Sequence, residues 1–166
     1  MTFLAESERL LLRQIAPGDW NMFRAYSRSE RATLSMAAKT DGEAWRHFAH
    51  LLGHLALRGY APLAFVLRDT PSQAVGVAGP YYALDWPEPE LGWQIWDAAL
   101  EGKGYASEAV TTARSWCTET YGWTRMASYI KPGNTRSEKL AERLGCTLDE
   151  TAQRRADGSP VWRHPV

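Results

Sequence analysis

The stretch Glu101-Gly102-Lys103-Gly104-Tyr105-Ala106-Ser107-Glu108-Ala109 follows a strand-like segment and opens a helix-like one. Glycines at such a junction let the backbone approach a ligand closely, with consecutive N–H groups aimed at it. The start of the helix adds roughly half a positive charge. The chemistry this suits is capture of an anion such as a pyrophosphate. Two other phosphate loops are excluded by spacing: G-x-x-x-x-G-K-[ST] is absent, and Ser107 stands where G-x-G-x-x-G needs its last glycine.

A second group, Asn134, Ser137 and Ala141, follows i, i+3, i+7 spacing and so shares one helix face. Asn134 also suits the N-cap of that helix. Arg136, Lys139 and Arg143 read as a basic, solvated face that could meet a phosphate. His47, His50 and His54 share another helix face, but no fourth ligand accompanies them, so no metal is expected. Cys117 and Cys146 form neither a C-x-x-C pair nor a zinc pattern and read as two reduced, buried thiols.

Around these groups the 166 residues divide into strands and helices without repeat, low-complexity tract or linker, as one domain over 1–166. Arg9–Gln14 reads as a first strand. Pro17 opens a helix to about Arg28, and Thr40 or Asp41 caps a second that Gly59 ends. Leu63–Leu67, Ala74–Tyr82 and Glu90–Trp96 read as strands, Tyr105–Tyr121 as a helix with Ala106, Ala109, Val110, Ala113 and Cys117 inward. Thr124–Ile130 is a strand, Asn134–Leu144 a helix stopped by Gly145, and strands at Thr147–Ala152 and Val161–His164 flank the hairpin signal Asp157-Gly158. The order β-α-α-β-β-β-α-β-α-β-β implies an α/β (α+β mixed) fold, a mixed sheet with helices on its faces.

Lys plus Arg and Asp plus Glu both number 19, for a formal net charge of zero. That argues against a nucleic-acid binder with a broad basic surface. Glu6 and Glu8 stand where a signal peptide would need a basic start and an apolar run. No segment approaches the ~20 apolar residues of a membrane span. A soluble, cytoplasmic protein is expected. Eight tryptophans are many for this length, and Trp86, Trp93, Trp96 and Trp162 lie close enough to the motifs to serve a substrate cleft.

The chain resembles the GNAT acetyltransferase superfamily. The family's acetyl-CoA loop, Gln/Arg-x-x-Gly-x-Gly/Ala, is matched by Glu101, Gly104 and Ala106. The stretch G-K-G-Y-A-S-E-A, the opening E-S-E-R-L-L-L-R from Glu6, Asn134-Thr135-Arg136-Ser137 with Leu140 and Leu144-Gly145, and Val161-Trp162-Arg163-His164 are similar to the branch of ribosomal-protein N-terminal acetyltransferases. The resemblance covers almost the whole chain. It implies the GNAT fold, a mostly antiparallel twisted sheet flanked by helices, and transfer of an acetyl group from acetyl-CoA to a primary amine by direct attack in a ternary complex.

It further implies cofactor contacts at Ile95, Trp96, Gly102, Lys103, Gly104, Tyr105, Ala106 and Asn134, with the backbone of Gln94–Trp96 pairing with the pantetheine arm and polarising the carbonyl. Glu90 takes the place of the base, commonly acting through water. An α-amine, with a pKa of ~7.7–8.0, asks less of such a base than a lysine near ~10.4. The tyrosine that many members use to protonate the thiolate is replaced by Ala141, leaving Ser137 as the nearest hydroxyl, so that Glu90, Asn134 and Ser137 are the expected catalytic residues. Glu101 departs from the usual Gln or Arg; its side chain is expected to point away and leave its N–H for the cofactor. Ser27–Lys39 and Tyr82–Glu90 are expected to wall the acceptor, with Arg24, Arg28 and Arg31 hinting at an acidic one and Tyr81, Tyr82 and Trp86 at a flat or apolar one. Dimerisation is common in the superfamily, so a homodimer is compatible. Two other readings stay open: a CoA-binding module with little catalysis, and a protein binding another nucleotide.

Overall fold

The computed structural model describes residues 2–165. It places β1 (Phe3–Glu6), β2 (Leu10–Arg13), β3 (Leu63–Leu67), β4 (Ala74–Tyr81), β5 (Glu90–Ile95), β6 (Ala127–Tyr129), β7 (Thr147–Asp149) and β8 (Val161–Arg163) in one sheet, ordered β1-β2-β3-β4-β5-β6-β8-β7. Four helices cover it: α1 (Trp20–Ser27), α2 (Asp41–Arg58), α3 (Tyr105–Tyr121) and α4 (Thr135–Arg143).

Strand alternation divides the core between the two faces. Leu63 and Phe65 point toward Ala109, Val110, Ala113 and Cys117 of α3. Ala64 and Val66 point the other way, toward Phe23 of α1 and Phe48 and Leu51 of α2. The register between β3 and β4 slips by one residue between Phe65 and Val66. Gly76 lies beside the slip, where a Cβ would come 2.3 Å from both the Gln94 carbonyl oxygen and the Phe65 ring. Only hydrogen fits there.

The helix ends follow local chemistry. The Thr40 hydroxyl accepts the Glu43 N–H at 3.1 Å, and the Glu43 carboxylate accepts the Lys39 N–H at 2.6 Å, a reciprocal cap for α2. Beneath the start of α1, Arg13 and Asp19 form a buried two-pronged pair, with bonds of 2.8 and 2.6 Å.

Two differences from the sequence reading stand out. β1 was not expected; it pairs antiparallel with β2 as a short, partly exposed edge hairpin, turned by the Ser7 N–H on the Leu10 carbonyl at 2.9 Å. Its exposed, four-residue length gives little apolar alternation to read. β7 and β8 do pair antiparallel, but residues 150–160 join them in place of a tight hairpin. Gly158 only closes a local turn onto the Arg155 carbonyl.

What positions the site is a break in the sheet. Every neighbouring pair is antiparallel except β5 and β6, which run parallel and meet only at Glu90 and Ala127. Beyond that pair they diverge. At the fork the Ser128 hydroxyl, on β6, donates to the Leu91 carbonyl at 2.5 Å and lies 2.8 Å from His164 Nε2. His164 is buried, and desolvation pulls its pKa down to about 4.

Candidate active site

The Trp96 N–H bonds the Val75 carbonyl of the neighbouring strand at 2.8 Å. Alternation then turns the N–H groups of Trp93 and Ile95 to the open side of the fork. Two cavities meet along this edge. One, of about 530 Å³, reaches the glycine loop and α4; the other, of about 240 Å³, reaches Glu90 and the aromatic residues behind it. Ser35, Trp93, Gln94, Asn134 and Ser137 border both.

The larger cavity carries the anion chemistry. Gly102 and Gly104 hold φ of 74° and 82°, left-handed values that other residues adopt only under strain. Gly104 is the N-cap of α3 and offers no capping side chain, so the first amides of the helix stay free. Gly102, Gly104, Ala106 and Ser107 border the cavity, and so do Arg136, Lys139 and Arg143. The basic helix face expected to be solvated therefore fronts the site.

The Lys103 and Tyr105 side chains are not part of this wall. The Lys103 carbonyl accepts Arg9 Nη1 at 3.1 Å, and the Arg9 guanidinium lies 4.3 Å from the Tyr105 ring centroid. Glu108 sits in the first turn, as expected for dipole complementarity, and also clamps the β1–β2 turn through Ser7 Oγ at 2.7 Å and Arg9 Nε at 2.6 Å. Desolvation opposes its charge, but these bonds outweigh it and hold the carboxyl below its ordinary value.

Glu101 does not behave as the sequence suggested. Its N–H goes to the Ala98 carbonyl at 3.2 Å, and its side chain reaches into the cavity wall. One oxygen takes Arg31 Nε and Nη2 at 2.9 and 2.6 Å, the other Arg136 Nη1 at 2.8 Å. Arg31 also donates to the Trp96 and Ile95 carbonyls at 3.0 and 2.8 Å. A carboxylate thus bridges two arginines beside an anion loop, and neither partner was legible from local spacing.

In the smaller cavity Glu90 accepts the Trp86 indole N–H at 2.9 Å. Desolvation raises its pKa, against the opposing pull of that bond and of Arg155. Desolvation, then the neighbouring Glu90, pushes Tyr81 up to about 12. Ser35 and Trp86 border this cavity, so both segments expected to wall the acceptor contribute to it. Arg24 and Arg28 do not, since both engage Asp41. Arg155, unanticipated, does: its guanidinium lies 4.2 Å from a Trp86 ring centroid.

Asn134 caps α4 through the Ser137 N–H at 3.3 Å while bordering both cavities. Ala141 is fully buried in the core and fronts neither cavity, and Leu140 faces the larger one instead. Trp96 is corrected as a cofactor contact: its N–H is engaged with Val75, and its ring packs on Phe23 in the core of the other sheet face. His54 bonds the Tyr60 carbonyl at 2.8 Å and accepts the Tyr82 N–H at 3.0 Å, so neither nitrogen is left for a metal. Among the described residues no group of three or more His, Cys, Asp or Glu could hold one. Cys117 and Cys146 are buried and unbridged.

A forked sheet with an anion loop beside one arm and a shielded carboxylate beside the other defines a cleft for two ligands, one of them anionic. The family model described as acetyltransferase (GNAT) domain matches residues 9–147, and the chain belongs to that family. An acetyltransferase from Agrobacterium tumefaciens superposes with a TM-score of 0.88 at 32% identity, over 100% of this chain and 96% of that one. A ribosomal L7/L12 α-N-protein acetyltransferase solved with coenzyme A matches in fold, with a TM-score of 0.69 at 14% identity over 99% and 98% of the two chains. An L-2,4-diaminobutyric acid acetyltransferase from Streptomyces avermitilis is 34% identical over 97 residues, 55% of this chain and 54% of the relative. The chain spans about half the length of the curated relatives it matches. No helix among the described residues is long and apolar enough to cross a membrane.

Proposed function

We propose that this protein is an N-acetyltransferase that moves an acetyl group from acetyl-CoA to a primary amine, on a small molecule or a peptide, within a ternary complex. The observation that carries the reading is the meeting of the two cavities at the β5–β6 fork, bordered by Ser35, Trp93, Gln94, Asn134 and Ser137. Acetyl-CoA supplies the activated acyl group and a thiol as leaving group. The backbone amides of Gly102 to Ala106 hold the pyrophosphate at the start of α3. Arg136, Lys139 and Arg143 offer further cations to its phosphates.

The fork-facing edge of β5 lines up the pantetheine arm through the groups left at Trp93 and the Ile95 N–H, the Ile95 and Trp96 carbonyls being taken by Arg31. The N–H of Trp93 or Ile95 stabilises the negative charge that develops on the thioester oxygen, a contribution that grows in a water-excluded cleft. Glu90, directly or through water, takes the proton that the attacking amine releases as the N–C bond forms. The upward shift of its pKa brings it closer to the amine it serves and so suits a general base. As the C–S bond breaks, the hydroxyl of Ser137 or Ser35 hydrogen-bonds the leaving sulfur and relays a proton from solvent to it, regaining its own in the same exchange and taking the part of the tyrosine that Ala141 replaces. The thiols of Cys117 and Cys146 suit a reducing compartment, in keeping with a cytoplasmic site of action.

The buried Ala141 and the carboxylate of Glu101 in the anion site favour one other reading, a CoA-binding module with little turnover. A thermal-shift titration with acetyl-CoA, CoA and ATP, followed by thiol release with a panel of amines, separates the two. Stabilisation by CoA with amine-dependent release supports the transferase. Stabilisation without release favours the module, and no response to CoA sinks both.

A further inference from the structure

The acceptor cavity is small, about 240 Å³, below the ~300–1,000 Å³ usual for larger ligands. Four aromatic residues line it: Tyr81, Trp86, Trp93 and Tyr129. Its charged lining is one carboxylate, Glu90, and two cations, Lys131 and Arg155. Trp86 spaces the charges of Glu90 and Arg155. Its indole N–H is bonded to Glu90 at 2.9 Å, and Arg155 lies 4.2 Å from its ring centroid. The two charges therefore stand about one indole apart, on the same side chain.

Arg155 belongs to residues 150–160, which lean over the fork from beyond β7. It pairs with Asp157 through Nη2. A guanidinium has five N–H donors in a planar fork, so this bond leaves others for a ligand. The Tyr129 ring, its centroid 5.6 Å from the Arg155 guanidinium, is buried and borders the same cavity, while its hydroxyl end lies toward Glu88.

We infer that the acceptor is a small amine carrying its own carboxylate, of the amino-acid class, with the carboxylate on Arg155 and the amine at Glu90. The inference rests on the acetyltransferase reading above and names its substrate. A protein N-terminus fits less well, because it presents a neutral peptide carbonyl where Arg155 offers a charged fork. A free diamine fits less well too, since its second ammonium would face Arg155 and Lys131.

The test uses pairs matched except for the carboxylate and the amine basicity that goes with it, each rate referred to the neutral amine: L-2,4-diaminobutyrate against 1,3-diaminopropane, and glycine against glycinamide. Thiol release from acetyl-CoA should favour the acid of each pair by about tenfold or more in kcat/KM, the range expected of a hydrogen bond to a charged group. In R155Q the acid-to-partner ratio should fall toward one, and R155K should restore part of it. A readout without turnover runs beside it. The CoA-loaded protein should be stabilised by the acids and not by their partners, and R155Q should abolish the difference.

Equal or faster reaction of the decarboxylated or amidated partners, with R155Q neutral or improved, would overturn the inference. It would show Arg155 filling an aromatic box meant for a cation. Selective stabilisation by the acids without any thiol release would keep the inference and sink the transferase reading instead. Neither release nor stabilisation by any acid would sink the inference.

Discussion

Replacing Glu101 by Gln should loosen the folded protein and tighten its hold on acetyl-CoA at the same time. The carboxylate bridges Arg31 and Arg136 at the edge of the anion cavity. A phosphate bound at the loop would feel it as a like charge. At ~7 Å and an effective dielectric of about 20, Coulomb's law gives ~2.4 kcal/mol per unit charge. Screening at physiological salt leaves about half of that. Acetyl-CoA should thus bind E101Q about five- to thirtyfold more tightly, by titration calorimetry or by its KM. The same change removes partly exposed ion pairs, with side chains 20% exposed at Arg31 and 35% at Glu101. Such pairs contribute about 1 kcal/mol, so the free protein should melt about 2–4 °C lower. The gain in affinity should shrink as salt is raised. Unchanged or weaker binding at low salt would refute the reasoning, and would mean that Glu101 organises the two arginines for the cofactor and does not compete with it.

Other tests bear on the base and the scaffold. Only the ionised Glu90 can take a proton, so kcat/KM should climb as pH rises through its raised pKa. E90Q should lose that limb and fall ~10²–10⁴-fold in rate; a limb that survives in E90Q assigns the base elsewhere. The same shift makes folding stability fall as pH rises through the folded pKa, because the native state then binds the extra proton. E90Q should therefore match or exceed the parent in urea midpoint at neutral pH. Asp19→Ala strands Arg13 in a site where both side chains are 4% exposed; it should cost about 3–5 kcal/mol, read as a lower midpoint at unchanged m-value. Gly76→Ala drives a methyl into the Gln94 carbonyl and the Phe65 ring; a loss of about 1–3 kcal/mol or more, with weaker CoA stabilisation as β5 shifts, is expected.

Legibility followed the range of the forces involved. The glycine loop, the α3 stripe and the caps of α2 and α4 are local, so the residues that specify them lie within a turn of one another. Asn134 and Ser137 reached the cleft for the same reason. The bridge from Glu101 to Arg31 spans 70 positions, and Arg155 reaches Trp86 from a loop whose turn residues said nothing of its direction. The strand alternation that turns Trp96 inward was present in the sequence. What it lacked was the hydrogen-bonding phase, which the Val75 carbonyl sets from the neighbouring strand.

The single parallel pair between β5 and β6 also has a mechanical meaning. A continuous sheet resists being pried open because each strand is fastened along its length. Here the hydrogen bonding from β6 to β5 is one backbone pairing, the Ser128 hydroxyl behind it and a long bond from the Tyr129 N–H to Glu90. The molecule therefore has a seam in its backbone hydrogen bonding, held mainly by core side chains such as Leu91, Met126 and Ile130 packed across it. Its give lies where both ligands must enter and leave, and the amides of Trp93 and Ile95 should report it. They should exchange with deuterium quickly in the free protein and slow once a ligand spans the seam. Rigidity on either side would then be what lets a narrow hinge line carry the opening and closing of the cleft.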